Sequence, residues 1–376
     1  MQNLRSRFAT KQSPPEEESA PKTKKSFFSP RAPSSKTAAV AAPRQSAQLA
    51  MLPIHTASTE MVVNNQNSLA FLGWNRREHG EKTCEQPRIC CAEERHWNIY
   101  FGPLGTVGEI HNKNNQPGFS DWSVGGLTGF DYAFEQGGIG FLADYEKIIG
   151  SVHKNWGRFD IKQAHFSFYA TYVPKSAERL SFDAIVGGGY DWYHIHRQTP
   201  GKTAKGTTQG KEFDALFGLA YIAYGKQDWC GPTKLQVTPM ANLQYIYLDR
   251  SQYKEHGANL FDFNVHSQVN KSLRSTLGTW ISYGAAWENF SFTPELYLAW
   301  QCEYFDHHQS LFASPLLVVE PTQSLTVFGA GRNTLQAGLD LMFTMFNQYG
   351  IEVSYDFEWN KLFHDQAFYV GFNVEF

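Results

Sequence analysis

The last eleven residues, QAFYVGFNVEF, constrain the fold of this chain most strongly, because apolar side chains occupy every second position up to the end. Side chains on a β-strand alternate between its two faces, so these apolar residues share one face. They are Phe368, Val370, Phe372, Val374 and Phe376. A soluble sheet normally protects an edge strand with charge or proline, and this apolar face carries neither. The face is therefore either covered by another element or in contact with lipid.

The same alternation recurs upstream, with carboxylates on the second face. In GIEVSYDFEW, residues 350–359, apolar and aromatic side chains alternate with Glu352, Ser354, Asp356 and Glu358. In NFSFTPELYLAWQCEY, residues 289–304, Glu295 and Glu303 lie opposite a run of Leu and Trp. An acidic strand face is favourable only where it is hydrated, and the interior of a β-sandwich is dry. We therefore predict a wet lumen lined by Glu295, Glu303, Glu352, Asp356 and Glu358.

Composition supports a transmembrane β-barrel. Aromatic residues make up 15% of the chain and charged residues only 18%, yet the mean hydropathy is −0.42. No stretch approaches the roughly 18 apolar residues of a membrane-spanning helix. Apolar residues are instead diluted with polar ones, as in strands that face lipid on one side and a lumen on the other. The net charge of −3 and pI near 6.5 argue against a nucleic-acid partner.

Turn signals divide the C-terminal three quarters of the chain into strands. Several strands are longer than those of globular proteins and match the length of a tilted strand that crosses a bilayer. The length of the strands and their even number favour an all-β, 12-stranded antiparallel transmembrane β-barrel over a soluble β-sandwich. The predicted strands are 97–109, 120–132, 136–147, 157–173, 179–193, 209–225, 233–248, 271–286, 290–303, 333–346, 348–359 and 366–376.

The N-terminal region has a different composition. Residues 1–55 contain charge runs, Ser-Pro and Ala-Pro pairs and few large apolar side chains, so they are predicted to be a disordered tail. Residues 56–94 are predicted to be a linker with a helix near residues 60–80 that plugs the lumen. The barrel is predicted to occupy residues 95–376. No apolar signal-peptide core is recognisable, because the nearest candidate, residues 38–54, is interrupted by a proline and an arginine.

Four segments in the same order resemble the translocator domain of autotransporters, the type V secretion proteins of Gram-negative outer membranes. They are VTPMANLQYIYLDRSQYKEHGANLFDFNV (237–265), SLRSTLGTWISY (272–283), PELYLAWQCEYFD (294–306) and YVGFNVEF (369–376). The resemblance implies a barrel in the cell outer membrane that exports or anchors an N-terminal passenger at the cell surface. The earlier segment NNQNSLAFLGWNRR also resembles the start of the barrel region in chlamydial polymorphic outer-membrane proteins.

The resemblance also implies roles for the last strand and a set of partners. Tyr369, Gly371, Val374 and Phe376 match a C-terminal signal that the barrel-assembly machinery reads. The expected partners are that machinery, the lipid bilayer of the outer membrane, and the chain's own N-terminal segment inside the lumen. No nucleic acid is expected.

No pattern in the sequence predicts catalysis, a metal or a cofactor. His194 and His196 share a strand face but lack a third ligand. In NVHSQ, His266 and Ser267 are adjacent, so a strand would point them to opposite faces. The glycines of IVGGGYD, residues 185–191, lack the lysine of a phosphate loop and are expected to let aromatic neighbours lie against the wall.

Two questions stay open at the level of sequence. The five cysteines are an odd number, so at least one is unpaired within the chain, and the disulfide state of Cys84, Cys90 and Cys91 is undecided. The alternative functions are a passive porin, or a surface adhesin whose loops, especially residues 304–332, bind a ligand. A soluble β-sandwich binding module is the third possibility.

Overall fold

The structure, a computed structural model, describes most of the chain from Trp97 to Phe376. The described residues are 97–112, 117–134, 136–225, 233–287, 289–305, 308–316, 322–328, 331–346 and 348–376. The predicted disordered tail and the predicted lumen helix lie outside these residues. So do Cys84, Cys90 and Cys91.

Twelve antiparallel strands form a closed barrel. Consecutive barrel strands pair with each other around the ring, which is the simplest connectivity for an antiparallel barrel. The barrel strands are β1 (Trp97–Ile110), β2 (Phe119–Phe134), β3 (Gly137–Val152), β4 (Gly157–Tyr172), β5 (Leu180–Thr199), β6 (Lys202–Tyr221), β7 (Thr233–Arg250), β10 (Gln268–Trp287), β11 (Phe290–Glu303), β14 (Asn333–Met345), β15 (Tyr349–Trp359) and β16 (Phe363–Glu375).

The first and last strands close the barrel. β1 pairs with β16 along its length, from Asn98 opposite Glu375 to Ile110 opposite Phe363. At the chain terminus, Trp97 N donates to Phe376 O over 3.1 Å, and Phe376 N donates to Trp97 O over 2.9 Å. Closure leaves the barrel without an unpaired edge, so the unprotected last strand has a partner on both sides.

All twelve barrel strands coincide with predicted strands, and the predicted fold class is confirmed. The largest difference is at β6, which begins at Lys202, whereas the prediction began at residue 209. Its first half, KTAKGTTQG, has no apolar alternation, so its strand character comes from pairing with β5. Leu216, which interrupts the polar face of this strand in the sequence, is buried inside the barrel with Ile185.

The two ends of the barrel differ. At the end where β1 begins and β16 ends, the connections are short, for example residues 288–289 and 346–348. We call this the short-turn end. At the opposite end, which we call the mouth, residues 251–267 and 304–332 form long connections. Outer-membrane barrels have short periplasmic turns and longer extracellular loops, and the two ends of this barrel show the same asymmetry.

The two long connections build a second, four-stranded sheet at the mouth. Its order is β13, β12, β9 and β8. These strands are β8 (Tyr253–Lys254), β9 (Phe263–Val265), β12 (His308–Pro315) and β13 (Gln323–Phe328). The described helical elements are two 3₁₀ turns, His153–Asn155 and Asn259–Phe261. Among the described residues, no helix is long and apolar enough to cross a bilayer.

Candidate translocation lumen

The five carboxylates predicted to line the lumen are all buried on the inner face of the barrel. Glu295 and Glu303 lie on β11, and Glu352, Asp356 and Glu358 lie on β15. The residues between them point outward: Leu296, Leu298 and Trp300 on β11, and Val353 and Trp359 on β15, are exposed. Alternation along a strand therefore separates an acidic inner wall from an apolar outer band.

The acidic wall is held by hydrogen bonds between neighbouring strands. Gln336 on β14 donates from Nε2 to Glu358 Oε1 over 2.8 Å and accepts from Tyr297 Oη over 3.1 Å. Glu303 at the top of β11 accepts from Arg274 Nε over 3.0 Å. These contacts fix several carboxyl groups in place on a wall where acidic side chains outnumber basic ones. Such a wall attracts cationic groups and repels anionic ones.

A second charged cluster, which the sequence analysis did not predict, lies on the opposite arc of the wall. His165 on β4 lies between two carboxylates, with Nδ1 3.3 Å from Asp144 Oδ2 and Nε2 2.8 Å from Asp214 Oδ1. Ser167 Oγ is 3.3 Å from the same Nδ1. Both ring nitrogens face a carboxylate, which favours a doubly protonated ring that donates to both. The two contacts tie β4 to β3 and β6 inside the barrel.

Tyrosines form a third part of the inner wall. Tyr100 Oη and Tyr169 Oη are 3.0 Å apart, and Tyr169 donates to Asp131 Oδ2 over 3.0 Å. Glycines make room for the rings: a Cβ at Gly140 would lie 2.2 Å from Tyr169 Cζ, and one at Gly129 would lie 2.3 Å from Tyr100 Cζ. Aromatic rings do lie on glycines along this wall, as expected for a crowded barrel interior.

The glycines of residues 185–191 make room for charged side chains and not for tyrosine rings. A Cβ at Gly187 would lie 2.4 Å from Asp214 Oδ1 and 2.7 Å from the His165 ring, and one at Gly189 would lie 2.2 Å from Glu212 Oε1. These positions leave space for the buried charged cluster. The expectation that they accommodate aromatic rings was wrong.

The four residues predicted to form the assembly signal are divided between the two faces of β16. Tyr369 and Gly371 point inward, and the Tyr369 ring lies over Gly371, where a Cβ would be 2.5 Å from Tyr369 Oη. Val374 is partly exposed and Phe376 is exposed on the outer face. The last strand thus presents an apolar outer face down to the terminal residue.

A buried apolar cluster lies at the mouth, between the mouth sheet and one arc of the barrel wall. Inward side chains from the upper ends of β2 to β5 meet the inner face of the mouth sheet. The barrel wall contributes Phe119, Ile148, Val152, Phe159, Ile161, Tyr193 and Ile195, and the mouth sheet contributes Tyr253, Phe263, Val265 and Ala313. We call these residues the mouth seal. Water can line the polar inner wall, but it is excluded from the closely packed apolar side chains of the seal.

A buried ion pair fastens the mouth seal to the barrel wall. Arg197 on β5 donates from Nε to Glu255 Oε1 over 3.0 Å and from Nη2 to Glu255 Oε2. It also donates to the carbonyl oxygen of Phe261 over 2.6 Å, and Phe263 N donates to Glu255 Oε2 over 3.0 Å. Burial raises the pKa of Tyr253, the neighbouring residue in the seal.

Outside the inner-wall clusters lie His194, His196, His266 and Cys302. His194 and His196 lie on the outer face of β5, and the described residues contain no group of three or more potential ligands able to hold a metal. His266 contacts Ser314 Oγ over 3.4 Å, not its neighbour in sequence. Cys302 is a free thiol.

This architecture defines a class: a twelve-stranded outer-membrane β-barrel with an apolar outer band and a charged lumen. The family model of the autotransporter beta-domain matches residues 99–356, and the chain belongs to this family. Its barrel is therefore that of an outer-membrane translocator for a passenger domain. The similarity to chlamydial polymorphic outer-membrane proteins in particular stays a prediction.

Solved structures of three autotransporter barrels share the fold. The translocator domain of NalP from Neisseria meningitidis is 12% identical, with a TM-score of 0.58, covering 83% of this chain and 98% of that one. The beta domain of Bordetella BrkA is 13% identical, with a TM-score of 0.55 and coverages of 75% and 100%. The transport unit of AIDA-I from Escherichia coli is 12% identical, with a TM-score of 0.53 and coverages of 80% and 97%. No curated protein matches the sequence.

Proposed function

We propose that the lumen of this barrel is the path by which the preceding chain reaches the cell surface, and that the barrel then anchors it there. The observation that carries this proposal is the position of Trp97, which starts β1 at the short-turn end beside Phe376. With the mouth facing outward, a chain exposed at the surface has to pass through the lumen to join β1. We assign residues 56–94 to this lumen segment and residues 1–55 to the exported side.

The opposite charges of the N-terminal segment and of the inner wall support this proposal. Residues 1–55 contain nine Lys or Arg and three Glu. The inner wall is rich in buried carboxylates, whereas the basic side chains among the buried described residues are Arg197, Arg250, Arg274 and His165. A cationic, poorly hydrophobic chain is attracted to such a wall without binding tightly to any one place on it. The class of passenger that this lumen favours is therefore a basic, extended polypeptide.

The mouth seal disfavours the alternative of a passive porin. Free diffusion of small solutes needs a wide hydrated path, and the seal narrows the upper lumen on the side of β2 to β5. Residues 251–267 and 304–332, which an adhesin would use for binding, build the sheet that carries this seal.

Location and assembly follow from the same proposal. We infer that the barrel resides in the cell outer membrane, and that the barrel-assembly machinery recognises Tyr369, Gly371, Val374 and Phe376 when it inserts the last strand. Translocation and anchoring need no catalytic residue, metal or cofactor. The work of the barrel is done by the apolar band, the charged inner wall and the closed seam between β1 and β16.

Disulfide cross-linking of the refolded full chain tests whether residues 56–94 lie in the lumen. In a variant without native cysteines, Ser68→Cys is combined with an inward position on the wall: Ser123→Cys, Ser282→Cys or Ser354→Cys. We expect at least one of these pairs to cross-link and change the mobility of the unboiled protein on a gel.

Outward neighbours provide matched controls. Val124→Cys, Tyr283→Cys and Val353→Cys place the thiol one residue away but on the lipid face of the same strands. Cross-linking at outward positions as efficient as at inward ones, or at none of the six positions, would refute a lumen location. Protease treatment of intact cells that export the full chain then tests the surface location, since residues 1–55 contain many trypsin sites.

A further inference from the structure

The outer face of the barrel near the mouth carries an unusual concentration of positive charge. Side chains on β3, β4, β5 and β6 that point away from the lumen are basic here, because the neighbours in sequence point inward and are buried. We call these residues the basic rim: Lys147, Arg158, Lys162, His196 and Lys205. Asp160 is the only acidic residue in the corresponding ranges, 147–162 and 192–209.

The register places the basic rim in two groups of direct neighbours. Lys147 on β3 is the Cα partner of Lys162 on β4. Arg158 is the partner of His196, which is in turn the partner of Lys205. His196 is within electrostatic reach of both Arg158 and Lys205. Like charges directly opposite each other on one sheet face are destabilising, so these pairs cost free energy unless an anion lies between them.

Within the described part of the chain, no carboxylate forms an ion pair with either lysine of the Lys147–Lys162 pair. The charge is therefore available to a partner outside the barrel.

Aromatic residues locate the basic rim relative to the membrane. Tyr145, two residues below Lys147 on the same face, is exposed, and Trp192 is the Cα partner of Lys162. Tyr190 and Trp192 pack against each other, with ring centroids 5.0 Å apart. Tyrosine and tryptophan on the outer face of a barrel mark the level of the lipid headgroups. The basic rim therefore lies at and just above the headgroups on the mouth side.

We propose that the basic rim binds the phosphate groups of an anionic glycolipid in the outer leaflet of the membrane. Clustered Lys and Arg at this level are suited to phosphate, because each contributes a charge-assisted hydrogen bond. Asp160, on the same face between Arg158 and Lys162, offsets one of the positive charges and leaves the rim cationic. The aromatic residues below them contact the sugar and the beginning of the acyl chains. The inference relies on the outward orientation of the mouth but not on passage of a passenger.

Binding of a purified lipopolysaccharide without O-chains to the refolded full chain in neutral detergent tests this proposal. The readouts are the number of bound glycolipids by native mass spectrometry and the dissociation constant. Lys147→Gln combined with Lys162→Gln is expected to weaken binding about 25-fold, since each Lys near an anionic lipid surface contributes about fivefold. Lys147→Arg with Lys162→Arg is expected to retain binding.

The double variant Lys254→Gln with Lys361→Gln is the matched control, because both side chains are exposed near the mouth but neither belongs to the basic rim. It should bind as the wild type does. The wild type itself gives an independent test that needs no variant. Removing the phosphates from the glycolipid should abolish its tight binding to the barrel. Free inorganic phosphate should not compete with the glycolipid for binding.

Equal affinity for the phosphorylated and dephosphorylated glycolipid would overturn the proposal, as would equal effects of the rim and control variants. Loss of glycolipid binding leaves the cross-links between residues 56–94 and the lumen unchanged. Failure of this inference is thus distinguishable from failure of the proposed translocation path.

Discussion

Replacing Val353 by arginine tests the division between apolar band and acidic lumen most directly. Val353 lies on the outer face midway along β15, between Tyr349 and Trp359 at the two ends of the strand. Its Cα partners are Leu341 on β14 and Val370 on β16, so its surroundings on this face are aliphatic. A charge there has to enter the hydrocarbon near the midplane of the bilayer.

The expected cost of Val353→Arg is about 2–4 kcal/mol in the free energy of unfolding, as for arginine near the midplane on the lipid face of other barrels. At 1.4 kcal/mol per factor of ten, this corresponds to a decrease of about 30-fold to 700-fold in the folding equilibrium constant. The measurement is reversible denaturant unfolding in phospholipid vesicles, followed by tryptophan fluorescence.

Two matched variants make the prediction specific to face and depth. Ser354→Arg moves the charge by one residue to the inner face, where Asp340 is the Cα partner and Asp356 is within reach of a hydrogen bond to Ser354. Two carboxylates attract the new cation, so its cost should be well below that at Val353. Tyr349→Arg keeps the outer face but lies at the short-turn end, where the expected cost is about 0–1 kcal/mol. Equal penalties at Val353 and Ser354 would refute the assignment of the two faces.

Three further predictions concern the seal, the packing of the wall and the last residue. Arg197→Met should leave Glu255 buried without its partner and make residues 251–267 sensitive to protease, and adding Glu255→Gln should restore much of the resistance. Gly150→Ala should destabilise the barrel by about 1–3 kcal/mol in denaturant unfolding, because the new Cβ would lie 1.9 Å from Phe159 Cζ, whereas Phe159→Leu in the same chain should relieve the clash. Deleting Phe376 should slow insertion into the outer membrane of cells while refolding in detergent still gives a heat-modifiable band, and equal losses in both assays would contradict a role in recognition.

The period-two pattern was sufficient to predict the barrel because the two environments that produce it, lipid and lumen, act on each residue separately. Each strand has lipid on one side and a polar lumen on the other, so every second residue reports its own environment. Glu352, Asp356 and Glu358 are the clearest case, since their outward neighbours are apolar or aromatic throughout. The positions of the strands and the direction of these carboxylates therefore follow from the sequence alone.

The charged cluster around His165 was not predictable, because its members come from β3, β4 and β6. Asp144 and Asp214 are 21 and 49 residues away from His165 in sequence. Nothing in the local stretch AHFSFY distinguishes His165 from a histidine without partners. Only the register of the paired strands brings the three side chains together.

The mouth sheet was missed for a different reason. β8 and β9 contain two and three residues, which is too short for alternation to be recognised or for the strands to be stable alone. Their conformation depends on contact with the upper wall of the barrel. Residues 304–332 lie between two predicted barrel strands without a predicted strand of their own, and the described part of this connection contains β12 and β13.

The mouth sheet also sets limits on how the surface of this protein can diverge during evolution. Surface loops of outer-membrane barrels usually tolerate substitution and insertion, because their side chains contact only solvent. Here alternate residues of two loops pack into one seal, so a change at Phe263 or Val265 affects the partner loop through Ala313. Lys254 and Asn264, the neighbours of these buried residues, face away from the seal and are free of this constraint. Among close relatives, substitutions in the two loops should therefore accumulate at every second position, and insertions should fall between the short strands and not within them.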